Sequence, residues 1–255
     1  MIRFASLGSG SEGNGLVVEA GRTRVLLDCG FGLAETSQRL ARLGLTPEQL
    51  SGIVVTHEHT DHIGGVARFA RKHGVPVWLT HGTRIMWEAQ EDSLPEVRVF
   101  DSHGSFELEG LEIHPYPVPH DAREPVQFVF SDGAVRLGVL TDAGCSTPHI
   151  EAMLGTADAL VLECNHDAQM LRDGPYPAGL KQRVGGRLGH LENGQAAALL
   201  KQLDCSRLKH LLAAHISKKN NTPALARKAL AEALDCTEEW IGVARQEDGF
   251  DWRSI

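Results

Sequence analysis

Thr56-His57-Glu58-His59-Thr60-Asp61-His62 is the stretch on which the reading of this chain turns. Three histidines and an aspartate crowd together here. The apolar run Ile53-Val54-Val55 before them reads as a buried strand. Ile63-Gly64-Gly65-Val66-Ala67-Arg68-Phe69-Ala70 after them reads as the start of a helix. The cluster therefore sits on a strand-to-helix loop, where chemically active side chains concentrate. Imidazole is the commonest metal ligand, and a carboxylate completes a hard or borderline site. If the strand direction persists, His57 and His59 point the same way and share one ion, while Asp61 and His62 face a second. The bland alternative is a hydrophilic loop in a chain with 13 histidines.

The flanking sequence adds ligands at the ends of later strands. Val118-Pro119-His120-Asp121 closes a strand with a histidine, and His114, inside the same strand, is its rival. Thr141-Asp142-Ala143-Gly144 follows the strand Val135 to Leu140. A carboxylate there can bridge two cations and offset their repulsion. Its other reading is an N-cap for the next helix, a role Thr147 can fill. His215 closes the strand Leu208 to Ala214, as a ligand or as a core histidine. His190 lies on a glycine-flanked turn before a helix, either as a general acid or as a capping or core histidine. His166 reads as structural, and His73, His81, His103, His149 and His210 follow no pattern.

Composition bounds the class. The 255 residues suffice for one large domain. Hydrophobic content of 42% and charged content of 23% are ordinary for a soluble globular protein. No apolar run approaches membrane-spanning length, and Met1 to Gly8 lacks a signal-peptide apolar region. Five scattered cysteines without Cys-x-x-Cys suit a reducing cytoplasm and argue against a thiolate zinc site. A net charge of −8 argues against broad electrostatic binding of nucleic acid, though a local basic groove is compatible with it. Lys181, Arg183, Arg187, Lys218 and Lys219 are candidates for such a groove, or simply a solvated face.

Gly8-Ser9-Gly10-Ser11-Glu12-Gly13 matches a dinucleotide fingerprint, with Asp28 downstream. The fingerprint needs a helix next. Here Leu16 to Ala20, the turn at Gly21-Arg22 and Thr23 to Asp28 read as two strands, so the match is rejected. The loop remains a phosphate contact or a plain turn. Helices are expected at Leu33 to Leu43, from Ile63 to His73, Thr83 to Gln90, Pro148 to Leu154, Gln195 to Leu203 and Pro223 to Leu234. Residues 166 to 186 read as mostly helical, broken at Gly174-Pro175-Tyr176-Pro177. Strands are expected at Ile2 to Leu7, Val77 to Thr80, Val97 to Phe100, Ser105 to Leu108, Leu111 to Val118 and Ala159 to Glu163, with a hairpin around Asp132-Gly133. Strand-rich halves each followed by helices suggest two packed sheets with helices outside.

His-x-His-x-Asp-His after a strand resembles the signature of the metallo-β-lactamase superfamily, and the Asp-His ending resembles its dinuclear hydrolases. The resemblance implies an α/β (α+β) fold, the four-layer αββα sandwich, over residues 1–255 as a single domain. It implies His57, His59 and His120 on one divalent ion and Asp61, His62 and His215 on the other, with Asp142 bridging. With no thiolate, zinc and manganese both suit this set. Glu163-Cys164-Asn165-His166-Asp167, Gly189-His190-Leu191-Glu192-Asn193-Gly194-Gln195-Ala196-Ala197, His215-Ile216-Ser217-Lys218-Lys219-Asn220-Asn221-Thr222-Pro223 and Ser9-Gly10-Ser11-Glu12-Gly13-Asn14 look like the YycJ (WalJ) family. The Gly-His-x-x-x-x-Gln-Ala-Ala pattern also resembles ribonuclease Z, without that branch's flexible arm. Glu192-Asn193 departs from the Ser or Thr expected nearer the histidine.

These resemblances imply a metal-dependent phosphodiesterase, a 5′→3′ exonuclease with DNA favoured over RNA, using a hydroxide bridging two divalent ions. Asp61 and His190 are its expected catalytic residues, and Ser9, Ser11, Asn14, Lys218 and Lys219 its expected substrate contacts. Two other readings stand beside it: a small-molecule hydrolase of cyclic phosphodiesters or thioesters, and a non-catalytic metal-binding protein.

Overall fold

Alternating apolar residues sort the strands of this chain onto two faces each. The computed structural model describes residues 1–88 and 96–255. Six strands build most of the first sheet: β1 (Ile2–Gly8), β2 (Gly15–Ala20), β3 (Thr23–Leu27), β4 (Gly52–Val54), β5 (Val77–Thr80) and β6 (Val97–Phe100). Seven build the second: β7 (Phe106–Leu108), β8 (Leu111–Pro117), β9 (Val126–Ser131), β10 (Arg136–Leu140), β11 (Ala159–Glu163), β12 (His210–Ala214) and β13 (Gly242–Val243). The last strand, β14 (Phe250–Ser254), returns to the first sheet and pairs antiparallel with β1. The sheet orders are β14-β1-β2-β3-β4-β5-β6 and β13-β12-β11-β10-β9-β8-β7.

Each sheet is antiparallel in one half and parallel in the other. β3 to β6 run parallel, as do β10 to β13. Parallel strands buried on both faces read as continuous apolar runs, and Ala159-Leu160-Val161-Leu162 is one. Neighbouring residues go to opposite sides. Val54 packs between the sheets with Phe4, Phe128 and Val161. Ile53 packs outward against Leu40 and Phe69. Leu162 and Leu211 pack outward from the second sheet against Ile150, Leu199 and Leu230.

The outer layers hold the helices. α1 (Leu33–Arg42), α2 (Thr60–Ile63), α3 (Val66–His73) and α4 (His81–Glu88) belong to the first half of the chain. α5 (Pro148–Leu154), α6 (Ala168–Asp173), α7 (Ala178–Val184), α8 (Asn193–Leu200) and α9 (Pro223–Leu234) belong to the second. Three apolar layers between four structural layers make an αββα sandwich. Among the described residues no helix is long and apolar enough to cross a membrane.

Three local expectations need correction. Helix begins at Thr60, inside the histidine cluster, and breaks at Gly64-Gly65 before resuming at Val66. A side chain on Gly65 would lie 1.9 Å from the Phe31 carbonyl oxygen, so the close approach of that loop requires glycine at the break. The helix expected at Thr83 to Gln90 starts two residues early, and its positions 89 and 90 lie outside the described residues. The segment after Leu234 carries β13 and β14, for which no strand was expected.

Candidate metal centre

Every site residue comes from one rim of the sandwich. β4, β10, β11 and β12 point their C-terminal ends there, and parity of the antiparallel pairings puts the ends of β1, β3 and β8 at the same rim. Asp28 follows β3, His57 follows β4, His120 follows β8, Asp142 follows β10, Glu163 ends β11 and His215 follows β12. Six non-glycine residues among those described have positive φ, and three belong to this rim: Asp28 (61°), Asp142 (52°) and His215 (53°). Such left-handed residues are strained by about 1–3 kcal/mol each, and that strain concentrates at functional sites.

His57 and His59 converge because of the loop rather than a continuing pleat. β4 stops at Val54, and the next residues wrap toward the rim. Asn14 N–H donates to the Asp61 carbonyl (2.8 Å), and Cys29 N–H to that of His62 (2.8 Å). A side chain on Gly30 would fall 1.8 Å from the Asp61 carbonyl oxygen, so only glycine lets the β3 loop clamp the cluster.

The expected ligands assemble into three overlapping groups whose donor atoms lie within 4.8 Å of one another: His57, His59 and His120; Asp61, His62 and His215; and His57, His62 and Asp142. His59 Nδ1 lies 3.3 Å from His120 Nε2. His62 Nε2 lies 3.4 Å from Asp61 Oδ2 and 3.2 Å from Asp142 Oδ2. Asp142 Oδ1 is 4.0 Å from His120 Nε2, so its carboxylate stands between the two trios. A fourth group joins Asp142 and His215 to Glu163 and His190.

The far nitrogen of most of these rings is held. His57 Nδ1 donates to Thr56 Oγ1 (2.9 Å), His62 Nδ1 to Asp28 Oδ2 (2.8 Å), His120 Nδ1 to the Gly189 carbonyl (3.0 Å) and His215 Nδ1 to Glu163 Oε1 (3.2 Å). Anchors of this kind fix the tautomer and aim the other nitrogen's lone pair at a metal. His57 Nε2, Asp142 Oδ2 and His215 Nε2 are buried without a hydrogen-bond partner. Leaving a buried polar atom unpaired costs about 1–3 kcal/mol, and a cation between these atoms satisfies all three. The residues fit a divalent cation bound by nitrogen and oxygen.

Charge in the site follows from burial and crowding. Burial and the neighbouring His62 hold His57 well below the usual imidazole range. At His62, burial opposes protonation, but Asp142, Asp61 and Asp28 outweigh it and push it well up. His215 rises to about 10, since Asp142, Asp61 and Glu163 overcome its burial. Burial would raise Glu163, yet His190 and His215 hold it at about 2. A concentration of anionic oxygens at buried rings is what a cation would relieve.

His190 is outside the expected ligand set but beside it. Its Nδ1 donates to Glu163 Oε1 (2.8 Å) and lies 3.5 Å from Asp142 Oδ1. Its side chain is 21% exposed, whereas that of Glu163 is sealed. His190 lines a cavity of about 340 Å³ with His59, Asp61, Asp142, His215 and Tyr176. Glu163 was not singled out from the sequence. Its signal was an acid closing a buried strand, where a carboxylate needs partners; it also accepts from Ala143 N and Leu191 N.

The competing candidates separate. His114 pairs with Glu112 (3.3 Å) and belongs to none of the donor groups. Thr147 caps α5 by accepting from Ile150 N, which leaves Asp142 free of that role. His166 is buried next to Asn165 and also lies outside the donor groups. At Glu192-Asn193, Glu192 caps α8, and Asn193 hydrogen-bonds Asn221 (2.9 Å).

The expected substrate contacts divide as well. Ser9 Oγ accepts from His215 N (2.9 Å), and Asn14 Nδ2 sits 3.3 Å from Asp61 Oδ2 and 3.1 Å from His62 Nε2, so both brace expected ligands. The Gly10 and Gly13 loop closes as a turn, with Gly10 N donating to Asn14 Oδ1. Ser11 lines the cavity. Lys218 is paired with Glu12 (2.8 Å) and Glu247 (3.0 Å), and Lys219 lies 5.7 Å over the Tyr176 ring. Arg183 pairs with Asp121 (2.5 Å) at the cavity wall.

An αββα sandwich with a histidine–aspartate rim defines a class, and the comparisons agree: residues 23–216 match the family model described as a beta-lactamase superfamily domain, and this chain is a metal-binding hydrolase of the metallo-β-lactamase superfamily. Within it the chain belongs to the YycJ/WalJ family. It is 34% identical to the exodeoxyribonuclease YycJ of Bacillus anthracis over 95% of this chain and 92% of that one. It is 32% identical to the exodeoxyribonuclease WalJ of Streptococcus pneumoniae serotype 2 over 95% of this chain and 91% of that one. Among solved structures, the metallo-β-lactamase fold protein YhfI from Bacillus subtilis superposes with a TM-score of 0.76 at 16% identity, covering 99% of this chain and 98% of that one, a likeness of fold.

Proposed function

We propose that this chain is a dinuclear metal-dependent phosphodiesterase that degrades DNA as a 5′→3′ exonuclease. His57, His59 and His120 hold one divalent ion and Asp61, His62 and His215 the other, with Asp142 shared. Zinc and manganese both suit this set. Bound cations of this kind supply Lewis acidity and charge neutralisation for in-line displacement at phosphorus. The observation that carries the reading is the pair formed by Glu163 and His190 at the edge of the ligand cluster. A nucleotide linkage leaves as an alkoxide and needs a proton. Glu163 fixes Nδ1–H, so Nε2 is the atom that delivers the proton. Burial opposes the charge on His190, but Glu163 and Asp142 outweigh it and raise its pKa, which favours the acid form.

The full-length similarity to two exodeoxyribonucleases supports DNA as the substrate, and the 5′→3′ polarity rests on the family resemblance. β14 closes the sheet that begins with β1, which supports treating residues 1–255 as one domain. The test is incubation with end-labelled single- and double-stranded DNA and RNA and with a cyclic phosphodiester, in manganese and in zinc. Mononucleotides released from the 5′ end of DNA are expected. Turnover of a cyclic phosphodiester alone would replace this reading with the small-molecule one.

A further inference from the structure

The edge of the sandwich away from the ligand cluster carries a second cavity of about 220 Å³. It lies beside β13 and the start of β12, and Arg253 reaches it from β14. Its walls include Arg227, Arg245, Arg253 and Trp240. Among the described residues no carboxylate pairs with any of the three arginines. The one carboxylate on the wall, Glu239, forms no ion pair with them. Arg227 Nε is buried without a hydrogen-bond partner. Unpaired guanidinium groups converge here on a protein of net charge −8. Trp240 ends a short 3₁₀ turn, Glu238–Trp240, and is 41% exposed, a large aromatic surface left in water.

Arginine with an exposed aromatic is the combination that grips single-stranded nucleic acid: cations take phosphates and the ring stacks a base. Shared lining residues bridge the distance from this cavity to the metal-centre cavity. A middle cavity of about 240 Å³ shares Ser217 with the metal-centre cavity and shares Val243 and Arg245 with the arginine cavity. β12 gives the scale, since His210 on the arginine cavity and His215 at the metal centre are five residues apart, roughly 17 Å along a strand.

We propose that Arg227, Arg245, Arg253 and Trp240 form a remote binding site for a single nucleic-acid strand whose reacting end lies at the metal centre. The proposal rests on the nuclease reading above. It makes length matter: at about 3.4 Å per nucleotide, a strand of about twelve nucleotides covers about 40 Å and spans both sites, whereas a dinucleotide reaches only the first.

The experiment compares steady-state cleavage of those two substrates by the metal-loaded wild type and by Trp240→Ala, Arg227→Ala and Arg253→Ala. Tryptophan fluorescence is titrated in parallel with a phosphorothioate strand of the longer length. Each substitution should raise KM for the long strand about 10-fold with kcat unchanged. Dinucleotide cleavage should stay within about twofold. The strand should quench wild-type fluorescence, and Trp240→Phe should remove most of the quenching while keeping most of the affinity. Arg253 is exposed, so Arg253→Ala keeps the test if Arg227→Ala fails to fold. A wild type that cleaves DNA and variants that match it on the long strand would overturn the remote site alone. Equal losses on both lengths would do the same. A wild type that neither binds nor cleaves any strand overturns the nuclease reading together with this site.

Discussion

Asp28 Oδ2 lies 2.8 Å from His62 Nδ1, and the same carboxylate accepts from Thr56 N (2.8 Å) and Thr56 Oγ1 (2.9 Å). One buried aspartate thus ties the strand entering the histidine cluster to the cluster's last histidine. Burial raises the Asp28 pKa, so its hydrogen bonds rather than solvent keep the charge in place.

Asp28→Ala should therefore weaken metal binding about 10- to 100-fold, the usual consequence of losing a ligand's outer hydrogen bond. Competition against a chromogenic chelator measures it. Asp28→Asn keeps the volume and part of the network and should fall between. Unchanged affinity in Asp28→Ala would mean that packing alone orients His62.

His190→Ala should keep its metal and lose roughly 10²–10⁴-fold in rate on DNA. A nitrophenyl phosphodiester, whose leaving group needs no proton, should be spared much of that loss. Glu163→Gln should follow the same leaving-group pattern. Loss of metal from His190→Ala would make the residue a ligand, which its place in the fourth donor group allows. Full activity on DNA would make it structural.

Of the two rim lysines, Lys219 should matter more. Lys218 is already paired with Glu12 and Glu247, whereas no carboxylate among the described residues pairs with Lys219. Lys219→Ala should weaken strand binding and flatten its salt dependence, and Lys218→Ala should do so less. Binding isotherms over a range of salt give both slopes. Equal effects would show that the Lys218 ion pairs open for substrate.

Cys29 should resist alkylation in the native state. Burial pushes its thiol up to about 12, so the reactive thiolate forms only as the pH approaches that value. Mass-spectrometric labelling at pH 8 should modify it only after unfolding. Rapid native labelling would show that the β3 loop opens.

The donor cluster was legible because His57, His59, Asp61 and His62 crowd one loop, and His120, Asp142 and His215 each stand just past an apolar strand. Asp28 and Glu163 share that context too. Neither was read as a site residue, and only the sheet order brings them against His62 and His190. The sandwich was legible from Ile53-Val54-Val55 and Ala159-Leu160-Val161-Leu162, whose apolar runs match buried parallel strands. The C-terminal edge was not. β13 has two residues, too few to show a period, and Phe250-Asp251-Trp252-Arg253-Ser254 becomes a strand through pairing with β1, some 250 residues away. The arginine cavity depends on that same edge, which is why Arg227, Arg245 and Arg253 held no interest in sequence.

The most direct test of the central claim is to count metal ions on the folded chain by native mass spectrometry, after saturation with zinc or manganese and removal of excess. Two ions are expected on the wild type and one on Asp61→Ala or His215→Ala, because those substitutions strip the trio on the Asp61 side and leave His57, His59 and His120. A wild type that saturates at one ion, with both variants still holding one, would contradict it.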